Sequence, residues 1–493
     1  MEVVALSRIV EFWAERQGDR VAIYHDGESI TWNELGAETN RLARVYESLG
    51  VGQDDFVTIA LPNGIEFFKA TLATWKVGAT PQPVSAKLPT FERDQIIDVG
   101  RPKLVVGVPE GAHPDYQTLP VGFEPDACIS ALPLDIRVAG SFKAMTSGGS
   151  TGRPKLIVAT APAVWDIDTD RLQIQLQGSM LIPGPLYHNG PFLWGMNALF
   201  RGNQVTVTTR FDAEETLRLI QEQAIDIVYT VPTMMQRIWN LPDEVKNRYD
   251  LSSLRVLWHL AAPCPVWLKQ AYIDWLGPDV IWELYGGTEG QGGTVITGSE
   301  WLEHVGSVGR PNATCEIIVV DEAGEPLPTG EVGEVFLRPH TGQGSTYKYI
   351  GAQAKEIAGG WESIGDLGYF DGDGYLYLAD RQTDMILSGG ANIYPAEVEA
   401  AIDAFPGVRS SAVIGLPDED LGNRVHAIVD APAGDVAEQA LMSHLADRLV
   451  RYKIPRTIEF SSQPIRDDAG KVRRKALRAE RMGLLQEDEK TRT

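Results

Sequence analysis

A segment rich in glycine and hydroxyl side chains carries the strongest chemical signal in the sequence. It reads Met-Thr-Ser-Gly-Gly-Ser-Thr-Gly-Arg-Pro-Lys from Met145 to Lys155. Glycine lets the backbone turn its N–H groups toward an anion, serine and threonine add donors, and Lys155 adds a positive charge. The segment therefore predicts a phosphate-binding loop, although a flexible surface turn has a similar composition. The residues expected to contact the anion are Ser147, Gly148, Gly149, Ser150, Thr151 and Gly152.

The loop does not have the spacing of a Walker A motif. That motif has four residues between its two glycines, and a Lys-Ser or Lys-Thr pair follows the second glycine. Here three residues separate Gly148 from Gly152, and Lys155 is followed by Leu156. The spacing therefore argues against a P-loop kinase or NTPase.

The five residues from Gly148 to Gly152 also match GxSxG, the nucleophile elbow of serine hydrolases. An elbow turns directly from a strand into a helix. Pro154 instead biases the residue before it away from helical dihedral angles, and the apolar residues that follow predict a strand. A serine hydrolase that uses Ser150 is therefore a distant alternative.

The loop resembles the phosphate-binding signature of the adenylate-forming superfamily, which includes acyl-CoA synthetases, nonribosomal adenylation domains and firefly-type luciferases. The usual loop in those proteins is close to TSGTTGxPK. The register that ends at Lys155 places Ser147 and Gly148 where that signature has Thr-Ser. This variant resembles the bile-acid-CoA ligase branch. The resemblance implies MgATP as cosubstrate, with Lys155 at the phosphates and Thr151 as a ligand of Mg²⁺.

A second motif of the same superfamily follows at Tyr285-Gly-Gly-Thr288-Glu289, which resembles YGxTE. The resemblance implies that Tyr285 stacks on adenine, that Thr288 contacts the α-phosphate and that Glu289 helps to hold Mg²⁺. The other nucleotide contacts that it implies are Gly286, Gly287 and, in a turn on the adenine side, Ala261, Ala262 and Pro263.

Four further matches extend the resemblance toward the C-terminus. Asp366 resembles the carboxylate that accepts bonds from both ribose hydroxyls, a geometry that suits a bidentate acceptor. Arg381 resembles an arginine near the ribose and phosphates. Thr383 stands at the family's hinge, about which a small domain rotates and where Asp or Lys is usual. The loop that lines the pantetheine tunnel of coenzyme A is matched by Ser388, Gly389 and Gly390.

Near the C-terminus, Gly470-Lys471-Val-Arg-Arg resembles the family's GKxxR signature. The resemblance implies that Lys471 enters the active site during adenylation and bridges the substrate carboxylate and the α-phosphate. The neighbouring basic residues, Arg473, Arg474, Lys475 and Arg478, are interpreted as a mostly solvated face.

The segment Pro185-Leu-Tyr-His188-Asn-Gly-Pro resembles a family segment whose histidine or aromatic side chain lies beside the acyl group. Further candidates for an apolar acyl pocket, for which plain core packing is the alternative, are Trp194, Tyr229, Trp258, Gly287 and Gly290. The glycines leave space rather than fill it. With the bile-acid-ligase resemblance, this favours a bulky steroid-like, terpenoid or fatty acid over acetate.

Together these matches predict an ATP-dependent acyl-CoA ligase. A carboxylate attacks the α-phosphorus of MgATP to give acyl-AMP and pyrophosphate, and the thiol of coenzyme A then displaces AMP. A carboxylic acid is ionised at pH 7, so the first step needs no general base. A close alternative stops at acyl-AMP or transfers the acyl group to a separate carrier protein. The expected catalytic residues are Lys471, Thr288, Glu289, Lys155 and His188.

The elements that must position these residues read as an α/β protein. Short β-rich runs alternate with helical stretches, which predicts a large N-terminal domain (1–381) of two helix-covered mixed or parallel sheets. From about 305 to 380, short strands with Gly and Pro turns predict a β-barrel-like subdomain. Residues 382–493 predict a small mobile α+β domain. Near the start, Ser7 is expected to cap the first helix, and Thr31 with Glu34 to form a capping box.

Charge and composition narrow the choice of partners. A formal net charge of −23 over 493 residues argues against nucleic acid and anionic membrane surfaces. ATP and coenzyme A, the expected polyanionic cosubstrates, must therefore be held by local cations. Three widely separated cysteines, the lack of a long apolar run and an acidic rather than basic start predict a cytoplasmic protein. A homodimer is left open.

Overall fold

The computed structural model describes residues 2–148, 154–169, 172–381, 384–388, 391–418, 420–432, 434–467 and 470–492. Within these ranges the α-helices are α1 (Ile9–Gln17), α2 (Trp32–Ser48), α3 (Ile65–Lys76), α4 (Thr90–Gly100), α5 (Asn189–Phe200), α6 (Ala213–Glu222), α7 (Pro232–Trp239), α8 (Asp243–Lys246), α9 (Val266–Leu276), α10 (Gly298–Glu303), α11 (Pro395–Asp403), α12 (Glu438–Ala446) and α13 (Arg474–Arg492). None of these helices is long and apolar enough to cross a membrane.

The strands of the same ranges are β1 (Val3–Ala5), β2 (Val21–His25), β3 (Glu28–Thr31), β4 (Phe56–Ile59), β5 (Thr80–Pro83), β6 (Leu104–Val106), β7 (Gln117–Leu119), β8 (Ala144–Gly148), β9 (Pro154–Ala159), β10 (Val164–Asp166), β11 (Ser179–Ile182), β12 (Gln204–Val207), β13 (Ile227–Thr230), β14 (Val256–Leu260), β15 (Ile281–Gly286), β16 (Gly293–Thr297), β17 (Arg310–Pro311), β18 (Cys315–Val320), β19 (Gly333–Pro339), β20 (Tyr347–Ile350), β21 (Lys355–Ile357), β22 (Trp361–Ser363), β23 (Asp366–Phe370), β24 (Leu376–Arg381), β25 (Ile386–Ser388), β26 (Ala391–Ile393), β27 (Ser410–Asp418), β28 (Gly422–Asp430) and β29 (Thr457–Ser461).

The largest sheet has the strand order β17-β16-β15-β14-β13-β11-β12-β2-β3. Its strands from β15 to β2 pair in parallel, and those at the two edges pair antiparallel. Every residue of β13 and β14 is buried. Continuous burial is typical of parallel strands that helices cover on both faces. The predicted helix-covered α/β architecture is confirmed.

A second sheet, β5-β4-β6-β7, is parallel throughout. Helix α3 is buried from Phe67 to its end at Lys76, which is expected of a helix enclosed by other elements. The ring of Trp75 in α3 lies 6.3 Å from Phe192 and 5.5 Å from Phe200, both in α5. These contacts join the two sheets through one apolar core.

Antiparallel strands dominate the part of the chain that follows β17. The strands β21-β22-β19-β23-β24 form one sheet, with β18 paired to β19. Strand β20 is not part of this sheet but pairs with β9. The resulting three-stranded sheet, β20-β9-β8, connects this antiparallel region to the strands that flank the phosphate loop. The short strands and turns expected between 305 and 380 are therefore present.

The C-terminal part has its own sheet and apolar core. Strands β27 and β28 form a long antiparallel hairpin, and β29 adds in parallel to β28. Helices α11 and α12 contribute Val398, Ile402, Leu441 and Leu445 to the core beneath them. The Gln236 side chain of α7 donates to the carbonyl of Asp403 over 3.2 Å. The C-terminal part of the chain therefore contacts the large N-terminal part at α7.

Two local predictions about helix starts have opposite outcomes. Thr31 and Glu34 form the predicted capping box on α2, in which each side chain accepts a bond from the other residue's backbone N–H. The prediction that Ser7 caps α1 is wrong. Ser7 is buried in a short 3₁₀ turn, where its hydroxyl donates to the carbonyl of Arg137 over 2.6 Å. The hydroxyl is hydrogen-bonded to a residue far away in the sequence, and local spacing alone cannot reveal such a partner.

Candidate active site

The predicted nucleotide-binding segments meet at one edge of the nine-stranded sheet. Strands β13, β14 and β15 are parallel neighbours, so their carboxyl ends lie side by side. Ala261 follows β14, and Tyr285 lies at the end of β15. Ala261 has a φ of 72°, a left-handed value that is uncommon outside glycine and concentrates at functional sites. Ligands of open α/β sheets bind at this edge.

The predicted adenine and ribose contacts touch each other. The Tyr285 hydroxyl donates to Oδ2 of Asp366 over 2.8 Å, and Asp366 is buried. The backbone of Arg381 lies directly opposite Asp366 in the pairing of β23 with β24. The structure therefore brings these three predicted residues together, and the tyrosine orients the carboxylate.

Glu289 connects the two motifs that the sequence predicts to hold the phosphates. Its Oε1 lies 3.7 Å from Nζ of Lys155 and accepts a 2.6 Å bond from the Tyr349 hydroxyl. Nζ of Lys155 also lies 3.8 Å from the centre of the Tyr349 ring. Burial and the Glu289 charge raise the pKa of Tyr349 far above its usual value, so this hydroxyl stays a donor.

The buried Glu289 carboxylate fits the requirements of Mg²⁺. Mg²⁺ at nucleotide sites is usually held by one or two carboxylates together with substrate phosphates. No group of three or more His, Cys, Asp and Glu within the described ranges could hold a metal by itself. Glu289 instead offers one carboxylate, with 7% of its surface exposed, beside the lysine of the predicted phosphate loop. Thr151, the other predicted ligand, lies outside the described residues.

The two strands that flank the predicted phosphate loop form an antiparallel hairpin. Ser147 pairs with Lys155 and Gly148 with Pro154. The loop residues Gly149, Ser150, Thr151 and Gly152 lie outside the described residues. Strand β9 begins at Pro154, which confirms the strand predicted there. Since a nucleophile elbow leads into a helix, the hairpin argues against a hydrolase that uses Ser150.

The rest of the YGGTE segment is a tight turn. Gly290 donates its N–H to the carbonyl of Gly287 over 3.1 Å, which places Thr288 within the turn, and Gly290 has a φ of 67°. A Cβ on Gly287 would lie 2.8 Å from Oε2 of Glu289. Glycine at 287 therefore lets the Glu289 carboxylate fold back against the backbone. Neighbouring Gly286 is exposed, as are Ala261 and Pro263, whereas Ala262 between them is half-buried.

Lys471 is exposed and lies in a turn that packs against the large part of the chain. Its N–H donates to Oδ1 of Asp467, and its carbonyl accepts from the Asp467 N–H, both over 2.9 Å. A Cβ on Gly470 would lie 2.7 Å from Oγ1 of Thr233, at the start of α7. Helix α7 follows β13, so the turn with Lys471 lies at the same sheet edge as Tyr285.

One of the basic residues near Lys471 was interpreted incorrectly from the sequence. Arg474 is not on a solvated face: it bonds both oxygens of Glu399 over 2.7 and 2.8 Å and Oδ2 of Asp384 over 3.0 Å. Arg473, Lys475 and Arg478 are exposed, as predicted. The basic run gives no sequence signal for this difference, because the partners come from distant segments.

The hinge and the coenzyme A tunnel are only partly described. Thr383, Gly389 and Gly390 lie outside the described residues. Ser388 is buried, and its hydroxyl donates to the carbonyl of Asn423 over 2.6 Å. This bond holds β25 against β28. The roles of Ser388 and Thr383 stay predictions.

Three of the candidate acyl-pocket residues, one each from α5, β13 and β14, form an aromatic cluster. The ring of Trp194 lies 5.5 Å from Tyr229 and 5.7 Å from Trp258, and all three side chains are buried. A Cβ on Gly190 would lie 2.2 Å from the Tyr229 hydroxyl oxygen. His188 lies two residues earlier, immediately before α5. The structure therefore brings His188 near the aromatic cluster that was predicted to line the pocket.

Two residues of this region escaped the sequence analysis. Tyr349 alternates with Tyr347 along β20, and this pattern was the available signal. Lys143 precedes β8, is only 5% exposed and donates from Nζ to Oδ1 of Asn189, the residue after His188. Burial lowers the pKa of Lys143 to about 7. A lysine next to apolar residues gives no sequence signal for such burial.

Replacing Lys143 with methionine is expected to stabilise the protein in a pH-dependent way. The folded-state pKa of about 7 lies below the unfolded value of about 10.4. Between these values the unfolded chain binds more protons, so the wild-type free energy of unfolding rises with pH. The gain from Lys143→Met is therefore largest near pH 6, at most on the order of 5 kcal/mol, and fades toward pH 10.

Denaturant unfolding of Lys143→Met and wild type, followed by tryptophan fluorescence at several pH values, measures this effect. Lys475→Met, at an exposed position, is the matched control. A difference in unfolding free energy that stays constant from pH 6 to pH 10 would contradict the burial of a titrating lysine.

The chain matches two protein families in sequence. Residues 10–132 and 144–347 match the family described as AMP-binding enzyme, and residues 397–471 match the AMP-binding enzyme C-terminal domain. A feruloyl-CoA synthase of Amycolatopsis sp is 32% identical over 468 residues, which cover 92% of this chain and 94% of the relative. A long-chain-fatty-acid–CoA ligase of Mycobacterium tuberculosis is 29% identical and covers 91% and 92%, respectively.

Solved structures show the same fold. The O-succinylbenzoate coenzyme A synthetase of Bacillus subtilis, in complex with ATP and magnesium ion, superposes with a TM-score of 0.81 at 25% identity. The match covers 97% of this chain and all of that one. The family models, the sequence relatives and the solved structures all match nearly the whole length of this chain. The chain therefore belongs to the family of AMP-binding enzymes, as an AMP-forming acyl-CoA ligase.

Proposed function

We propose that this enzyme joins a bulky, largely apolar carboxylic acid to coenzyme A in an ATP-dependent reaction. The contact between Lys155 and Glu289, next to the Tyr285–Asp366 pair, carries the proposal. These two contacts bring the residues expected at the phosphates, Mg²⁺, adenine and ribose together at one sheet edge.

The three cysteines, Cys128, Cys264 and Cys315, are free thiols, which supports the predicted cytoplasmic location.

The first half-reaction depends on positioning and on positive charge. The ionised substrate carboxylate attacks the α-phosphorus, and pyrophosphate leaves on the opposite side. Lys155, on the β8–β9 hairpin, and Lys471, on the C-terminal turn, both offset the negative charge of the phosphates. Mg²⁺ supplies further positive charge at the phosphate oxygens when it is bound. Fixed charges in a water-excluded site stabilise such a transition state strongly.

The second half-reaction transfers the acyl group from acyl-AMP to a thiol. We infer that the C-terminal part rotates about Thr383 and presents the loop of Ser388, Gly389 and Gly390 to the pantetheine arm. The last 33 residues contain nine Lys and Arg against six Asp and Glu, whereas the whole chain carries −23. This locally basic tail suits a polyanionic acceptor such as coenzyme A.

The choice of acid is inferred from the region between His188 and the aromatic cluster. Trp194, Tyr229 and Trp258 form a buried, apolar aromatic cluster, of which Trp194 lies close to His188 in the chain. Aromatic side chains provide large apolar contact areas and commonly line the binding sites of small apolar ligands. This favours steroid-like, terpenoid or fatty acids as substrates.

A panel of carboxylic acids, assayed for pyrophosphate release with MgATP, tests the proposal. We expect bulky apolar acids to support release at much lower concentrations than acetate, and thioester to form when coenzyme A is added. A phosphopantetheinylated carrier protein in place of coenzyme A distinguishes transfer to a carrier. Preference for acetate would contradict the proposed substrate class, and the absence of release with every acid would contradict the ligase itself.

A further inference from the structure

A buried carboxylate in the C-terminal part joins two arginines that are far apart in sequence. Glu399, on α11, is 5% exposed. Its Oε2 accepts from Nη2 of Arg466 over 3.0 Å, and both oxygens accept from Nη2 of Arg474. The backbone N–H of Val413 in β27 adds a 2.8 Å bond to Oε1. Glu399 is therefore fixed from three sides.

Arg466 extends this network to the turn that carries Lys471. Its Nη1 donates to the carbonyl of Gly470 over 3.1 Å, and its Nη2 also donates to the carbonyl of Ser411 over 2.8 Å. Gly470 directly precedes Lys471 and has a φ of 76°. The guanidinium group thus holds the backbone one residue away from the predicted adenylation lysine.

Arg474 extends the network in the other direction, to the segment after the predicted hinge. Its Nη1 bonds Oδ2 of Asp384, the residue that follows Thr383. The residues that Glu399 links all lie after Thr383 in sequence. A rotation of the C-terminal part about that position would therefore move the whole network as one unit and preserve its bonds in both half-reactions.

The turn with Lys471 is otherwise a short, self-bonded element. Bonds within it join Asp467 to Gly470 and to Lys471. The orientation of the turn depends on its anchor to α11 and β27 as well as on the packing of Gly470 against Thr233. Arg466, held by Glu399 and the Ser411 carbonyl, provides this anchor. Bidentate and charge-assisted bonds fix direction as well as distance.

We propose that Glu399 is a positioning residue for adenylation: through Arg466 it holds the Gly470–Lys471 turn so that Lys471 points into the active site. The inference rests on the proposed function and deepens it. In this proposal Glu399 acts on adenylation only through the turn. Thioester formation, in which Lys471 has no assigned part, does not depend on it.

The test measures both half-reactions in Glu399→Gln. We expect acid-dependent pyrophosphate release to fall roughly 10- to 100-fold. This is the loss typical of removing a group that orients a metal ligand without contacting the metal. Conversion of supplied acyl-AMP and coenzyme A to thioester should stay within about twofold of wild type. Loss of both half-reactions by the same factor would overturn the proposal.

Asp430→Asn is the matched control. Asp430 is also buried in the C-terminal part and bonded to an arginine, Arg409, over 2.9 Å, but these bonds lie at the end of β28. We expect this variant to leave the ratio of the two half-reactions unchanged. If it shifts the ratio as much as Glu399→Gln does, the effect is general destabilisation and the proposal fails.

A second variant keeps the proposal testable if Glu399→Gln does not fold. Arg466→Lys retains the charge beside Glu399 but cannot bond Glu399 and the Gly470 carbonyl with one planar group. It should give the same selective loss of adenylation. Adding Glu399→Gln or Arg466→Lys to Lys471→Ala should cause no further loss of adenylation, because they act through that lysine. A further tenfold loss would contradict the proposal.

Failure of this inference differs from failure of the proposed function. If wild type releases pyrophosphate with some acid but the variants show no selective loss, only the role of Glu399 is wrong. If wild type releases no pyrophosphate with any acid, the ligase proposal itself fails.

Discussion

Replacing Lys471 with alanine is expected to slow acyl-AMP formation strongly while leaving thioester formation from supplied acyl-AMP largely intact. The turn that carries Lys471 packs against Thr233 at the sheet edge where Tyr285 and Asp366 meet. Removing one preorganised charge or donor from a transition state typically costs roughly 2.7–4 kcal/mol. The first half-reaction should therefore slow by about 10²- to 10³-fold.

Pyrophosphate release and acyl-AMP consumption, measured separately, test this expectation. Lys475→Ala, four residues further on at an exposed position, is the matched control and should leave both rates unchanged. An equal loss of both half-reactions in Lys471→Ala would contradict the assigned role. Lys471→Arg is expected to restore part of the adenylation rate, since it retains the charge with a different shape.

Replacing Glu289 with glutamine is expected to weaken adenylation by raising the requirement for Mg²⁺. The Glu289 carboxylate is buried, lies 3.7 Å from Nζ of Lys155 and accepts a bond from Tyr349. Glutamine keeps the shape but lacks the charge, and neutral amides are weaker ligands of Mg²⁺ than carboxylates. The Mg²⁺ concentration that gives half-maximal rate should rise by at least roughly 10- to 100-fold.

Titration of the initial rate against Mg²⁺, at saturating ATP and acid, measures this change. Tyr349→Phe separates charge from orientation, because it removes the hydrogen bond and leaves the carboxylate. We expect it to raise the Mg²⁺ requirement much less than Glu289→Gln does. An unchanged Mg²⁺ dependence in Glu289→Gln would contradict its assignment as a metal ligand.

The motif residues can be recognised in the sequence because their chemistry is local. A phosphate loop needs glycines and hydroxyls next to one another, and Gly287 and Gly290 are required by a turn only four residues long. The strand after Pro154 and the capping box of Thr31 also follow from neighbouring residues. Such features depend on interactions within a few residues, which the sequence displays directly.

Features that depend on distant partners were missed or misread. Arg474 looks like one more solvated cation in a basic run, but its guanidinium group forms ion pairs with Glu399 and Asp384. Ser7 has the residue type and place of a helix cap, but Arg137 takes its hydroxyl. Lys143 gives no local sign that its ammonium group is buried beside Asn189. In each case the partner is more than 40 residues away along the chain.

The sequence by itself determined the family, the α/β architecture and the residues expected to carry the chemistry of phosphate, adenine and ribose. It could do so because residue type and short-range spacing set these properties. Only the tertiary structure decided that Tyr349 joins Glu289, that Trp194, Tyr229 and Trp258 form one cluster and that Arg466 links Glu399 to the carbonyl of Gly470. Burial and long-range pairing set the charges and directions of these groups, and both arise only when separate segments pack together.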